Sequence, residues 1–176
     1  MPEARTGRGL MALYLVVPLL LMVAILQASA ISHLSVWGVF PDLPCLVVVS
    51  WGLLCGVKEG ALWGFVAGIA VDLLSGAPFG AATFSLLVVG VVSGLARGGV
   101  FAGHLIFPVV TMFLTTVLYD LLILLFVSIS GRAVAWVDTL FRVILPSALL
   151  NALLMPLVFG LMRMLHKRFS QKEMEW

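Results

Sequence analysis

The 176 residues are 62% hydrophobic and only 10% charged, with a mean hydropathy of +1.21. A soluble domain carries about 45–50% apolar and about 25% charged residues, and a chain this small has too little interior to hide the surplus. A water-soluble globule is therefore excluded, the net charge of +2 gives no footprint for nucleic acid, and lipid is the solvent the composition requires.

The first apolar run predicts a helix over residues 10–34, behind Arg5 and Arg8. Ala28-Ser29-Ala30 gives it the outline of a secretory signal, but the run is longer than a signal core and further spans follow at once. It reads as an uncleaved first helix. Trp37, Phe40, Pro41, Asp42 and Pro44 make an interfacial turn, since proline breaks helices and aromatic rings favour the headgroup zone. A second helix is expected over 43–57, its run ending at Lys58-Glu59, and a third over 60–75, closing in Ser75-Gly76-Ala77-Pro78. A fourth covers 79–96 and stops at Arg97-Gly98-Gly99. The fifth, over 104–129, ends at Ser130-Gly131-Arg132, and the sixth runs over 137–165 through Pro146 and Pro156. The result is a single integral membrane domain over 1–176, an all-α bundle of six transmembrane helices. The apolar cores of the second and third runs are short, about 20 Å each against a hydrocarbon core of about 30 Å. Four crossings with a re-entrant hairpin is the alternative.

Charge sets parity and orientation. Arg5 and Arg8 near one end and Arg163, Lys167, Arg168 and Lys172 near the other both favour the cytoplasm, which requires an even number of crossings. Lys58 and Arg97 then fall on the same side, eight of the ten basic residues in all, leaving Arg132 and Arg142 outside beside Asp42 and Asp138. Cys45 and Cys55 share one apolar run with no metal-like spacing and read as packing residues.

Small residues recur at helical spacing: Gly60, Gly64 and Gly68 on the third helix, Gly90, Gly94 and Gly98 on the fourth. Helices in lipid associate by close backbone approach over such faces, so these line either the inside of the bundle or a groove for a partner's helix. Two carboxylates lie at membrane depth, where a charge costs about 2.5–3.5 kcal/mol and needs a reason. Asp72, near the end of the third helix, can accept from backbone N–H groups of the turn over 75–80, or belong to a polar pocket. Asp120 in the fifth has no sequence-local partner, and its structural and functional readings stand level. Neither makes an acid–base pair, for which geometry and a reacting atom are needed. His33, His104 and His166 are scattered with no metal spacing, Ser75 lies in no nucleophile elbow, and no phosphate-binding glycine–lysine motif occurs. No enzyme, cofactor or metal is indicated.

Pro41-Asp42-Leu43, Trp51-Gly52, Glu59-Gly60, Gly64-Phe65, Gly68 and the stretch from Asp72 through Leu73-Leu74-Ser75-Gly76-Ala77-Pro78-Phe79-Gly80 resemble, in order and spacing, the rod shape-determining protein MreD family, as do Asn151 with Pro156. The resemblance implies a non-enzymatic component of the bacterial cell-elongation machinery in the inner membrane, similar in fold to the substrate-binding subunits of energy-coupling-factor vitamin transporters. It implies a direct partner, MreC, and through it MreB, RodA and a penicillin-binding transpeptidase, and leaves room for a further copy of the chain in the complex. On this reading Asp42, Gly64, Gly68, Asp72, Gly76, Pro78, Gly80, Gly90, Gly94 and Asp120 are the structural or partner-binding candidates, with a turn stiffened by Pro78 and anchored by Asp72 shaping a glycine-lined groove. The other reading is a vitamin-binding transporter subunit. Ala24 and Ala28 have the docking spacing such subunits use, but they lie toward the wrong end of the first helix, and the outer loops are poor in polar and aromatic side chains.

Overall fold

In the computed structural model, residues 41–75, 78–97 and 106–171 are described, with side chains as far as 165; the expected first helix over 10–34, Gly76 and Gly98 lie outside the described residues. Everything regular among the described residues is helical. The helices are α1 (Leu43–Cys55), α2 (Val57–Leu74), α3 (Ala81–Ala96) and α4 (Ile106–Ile129). The short α5 (Trp136–Thr139) follows, then a π-helical turn (Leu140–Ile144) and α6 (Leu145–Gln171).

Local chemistry explains the breaks. Asp42 caps α1 by accepting from Cys45 N–H at 3.2 Å, and Pro44 occupies the first turn, where a missing N–H costs nothing. A single residue, Gly56 at φ 97°, separates α1 from α2, a backbone that disfavours any side chain. Lys58 and Glu59 therefore lie in the first turn of α2, whereas the sequence suggested the end of the preceding run; charged residues tolerated at a helix start look like a boundary. The π-turn sits just ahead of Pro146, which has no N–H and whose ring crowds the preceding turn; the chain widens there, with Leu145 N–H bonding back to Leu140 O.

The helices alternate in direction. Along α2 and α3 the close partners run 57 with 94, 60 with 90, 64 with 86 and 68 with 83, an antiparallel pair. Phe84 of α3 meets Phe126 of α4 edge-on at 5.7 Å, and Thr116 of α4 meets Asn151 of α6. One end of the bundle thus holds the starts of α1, α3 and α5 and the ends of α2 and α4. At the centre stands α1, packed against α2, α3, α4 and α6, with ten of its thirteen residues buried. At about 1.5 Å per residue it is only about 20 Å long. Wrapped by protein over most of its length, this helix need not match the bilayer.

The buried core is mainly apolar, around Leu46, Val48, Val49, Trp63, Leu86, Val89 and Met112, but it also takes in several polar side chains. The interior holds Ser50, Asp72, Ser93, Thr115, Thr116, Ser147 and Asn151, while Leu114 is 61% and Leu153 81% exposed. Such an apolar exterior is stable in lipid and not in water. Among the described residues two helical stretches, Ile106–Ile129 and Trp136–Leu165, are long and apolar enough to cross a membrane, and α1 and α3 are shorter apolar helices.

Candidate functional site

Asp72 and Gly80, the two ends of the sharpest sequence feature, meet in a clamp at one end of the bundle. Asp72 is 4% exposed. Its Oδ1 accepts from Ala82 N–H at 3.0 Å, and its Oδ2 from Gly80 N–H at 3.0 Å, Thr83 N–H at 2.9 Å and the Thr83 hydroxyl. The first N–H groups of a helix have no partner within it and carry the positive end of the dipole, so a carboxylate from the neighbouring helix satisfies both needs. Within the turn over 75–80 Gly80 donates to Asp72, as the sequence suggested, and the further donors Ala82 and Thr83 extend the anchor to the start of α3. Gly80, at φ 95°, is the left-handed residue that swings the chain into this position. Pro78 is half-buried, its carbonyl accepting from Ala81 N–H at 3.1 Å.

A second polar network lies across α1, α4 and α6. The Asp42 N–H donates to Asn151 Oδ1 at 2.9 Å, and Asn151 Nδ2 donates to the Thr116 hydroxyl at 3.5 Å. Asn151 is fully buried, so these bonds hold the start of α1 between two longer helices. Asp120 lies beside it, with the Ser147 hydroxyl in hydrogen-bonding range of its carboxyl and Oδ2 without a hydrogen bond. Tyr119, next to Asp120 in sequence, is buried in the same helix. Among the described residues no group of three His, Cys, Asp or Glu side chains is placed to hold a metal ion.

The glycines form the third element, and of the two readings offered by the sequence their contacts favour packing inside the bundle over a groove. A Cβ added at Gly60 would come within 3.0 Å of the Gly90 carbonyl oxygen, at Gly64 of the Leu86 carbonyl, at Gly68 of Thr83 Cα, at Gly90 of the Gly60 carbonyl and at Gly94 of Val57 Cα. The two glycine faces are closed on each other, backbone to backbone. Among the described residues, Gly60, Gly64, Gly68, Gly90 and Gly94 line no open groove.

The opposite end carries its own lock. Arg97 Nη1 donates to Cys55 O at 2.6 Å, so a guanidinium satisfies an end carbonyl of α1, where the dipole favours a cation. Trp63 donates to Glu59 Oε2 at 3.1 Å and meets Trp51 edge-on at 6.4 Å. The sequence reading did not single out Thr83, Thr116, Tyr119 or Ser147. The signal for α4 was present: Thr111, Thr115 and Tyr119 recur every four residues and mark one polar face in an otherwise apolar run.

Compared with known proteins, residues 9–165 match the model of the rod shape-determining protein MreD family. No curated protein matches the chain, and no solved structure does.

Proposed function

Because the chain belongs to the MreD family, and is thus a rod shape-determining integral membrane protein, we propose that it acts as a non-enzymatic scaffold of the cell-elongation machinery. On this reading it binds MreC directly and, through it, connects to MreB, RodA and a penicillin-binding transpeptidase. It crosses the inner membrane six times with both termini in the cytoplasm, and its bundle is of the kind found in energy-coupling-factor substrate-binding subunits. The supporting observation is the closed interior. Most buried polar side chains bond within the described bundle, chiefly to its backbone, and the glycine faces pack against the neighbouring helix. What remains for recognition is the outer flank of the helices, which suits a rigid body that positions others.

The test is twofold. In a rod-shaped bacterium depleted of its own MreD, this chain is expected to restore rod shape, and the tagged chain solubilised in mild detergent is expected to retain MreC. Cells that stay round, with no MreC in the eluate despite a folded, membrane-inserted chain, would overturn the scaffold reading. A vitamin retained through purification would point to the transporter class instead.

A further inference from the structure

Arg132 and Arg142 are the basic residues among the described ones at the end of the bundle where α4 finishes and α5 begins. Gly131, at φ 80°, turns the chain out of α4 into an extended, exposed segment that starts with Arg132. Arg142 lies in the π-turn, exposed, between Phe141 at 63% and Val143 at 49% exposure. Neither arginine has a hydrogen bond or ion pair with any described residue. Asp138 stands four residues before Arg142, the spacing of a helical ion pair, yet none forms; the wider π-turn between them shifts the register.

Depth makes this unusual. The stretch Trp136–Leu165 is 30 residues, or about 45 Å at 1.5 Å each, close to the full bilayer with headgroups. Arg142 follows Trp136 by six positions, about 9 Å along that rod, where the headgroup layer meets a hydrocarbon core of about 30 Å. A guanidinium there has no acceptor among the described residues and none on the hydrocarbon side. The acceptors within reach are the phosphate oxygens of lipid, which match the planar fork of arginine in pairs. Trp136, exposed about one and a half turns above, has the amphipathic ring that settles in the headgroup layer.

We propose that Arg142, with Arg132 above it, forms a binding site for the phosphate of an anionic lipid headgroup, the lipid's chains lying along Phe141 and Val143. The local charge fits one such lipid: two arginines against Asp138 leave a net single positive charge. The site needs only that these helices are embedded in a bilayer and is independent of any protein partner.

Native mass spectrometry of the full chain in detergent, titrated with phosphatidylglycerol or phosphatidylcholine, tests it. The wild type is expected to hold one phosphatidylglycerol several-fold more tightly than phosphatidylcholine. Arg142→Gln should weaken that binding by about tenfold, and Arg142→Lys, which keeps charge but not the fork, by less. Soluble glycerol phosphate at equal concentration should displace nothing. Melting without added lipid should be unchanged in every variant, since both side chains are exposed and neither bonds to a described residue. Equal binding of the two lipids, undiminished phosphatidylglycerol binding by the double variant Arg132→Gln/Arg142→Gln, displacement by glycerol phosphate, or a lowered melting point would each overturn the proposal.

Discussion

Replacing Asp72 with alanine removes four hydrogen bonds at once, three from backbone N–H groups and one from the Thr83 hydroxyl. A hydrogen bond to a charged group contributes about 1.5–3 kcal/mol, and losing an ordinary N-cap costs about 1 kcal/mol. The four bonds share one carboxylate near the end of the bundle, where water re-solvates part of what is lost, so they do not add. We expect a loss of about 3–4 kcal/mol, more than a cap and less than four separate bonds. For a chain of this size, about 2–4 °C of melting temperature corresponds to each kcal/mol, which gives a drop of about 6–16 °C in a thermal-shift assay in detergent. Asp72→Asn keeps one acceptor oxygen; turned toward Gly80 and Thr83, it leaves only Ala82 unmatched and should lose about half as much. Thr83→Ala removes only the hydroxyl bond and should cost about 1 kcal/mol. The order Ala, Asn, then Thr83→Ala is therefore diagnostic. An alanine variant melting within about 2 °C of wild type would refute the clamp as a holder of α3.

Two further comparisons test the bundle. Gly90→Ala places a methyl against the Gly60 carbonyl, which is backbone and cannot step aside, and should destabilise by about 1–3 kcal/mol; Gly160→Ala meets open space and should be neutral or gain up to about 1 kcal/mol. Equal melting shifts for these two variants would contradict the closed glycine contact. Asn151→Leu strands the Asp42 N–H at the start of α1 and should lower stability by about 1–3 kcal/mol, with increased hydrogen exchange at residues 42–45; unchanged exchange there would remove Asn151 as the tie between α1, α4 and α6.

Much of the fold was legible because it depends on composition. Apolar excess, proline and glycine breaks, and the length of the α4 run are properties of single segments. The glycine spacing was equally visible, but not what it faces. Only three-dimensional placement distinguishes a groove from a sealed contact, since Gly60 and Gly90 lie thirty positions apart. Asp72 was readable because its donors are eight to eleven residues away. Asn151 gave no physical signal of its own, because its partner Asp42 is 109 residues distant. The π-turn escaped too: Pro146 warned of a disturbance, but proline kinks, breaks and widens helices with the same sequence mark.

The buried position of α1 has a mechanical consequence. A helix that meets lipid must match the bilayer or tilt, at a fraction of a kcal/mol per ångström of mismatch. A helix sheathed by its neighbours answers to them alone. When membrane thickness changes, adjustment falls on the outer rods, α4 and the stretch from Trp136, while α1, fixed at one end through Asn151 and at the other through Arg97, holds its length and register. The bundle is thus a stiff axle inside an adaptable rim.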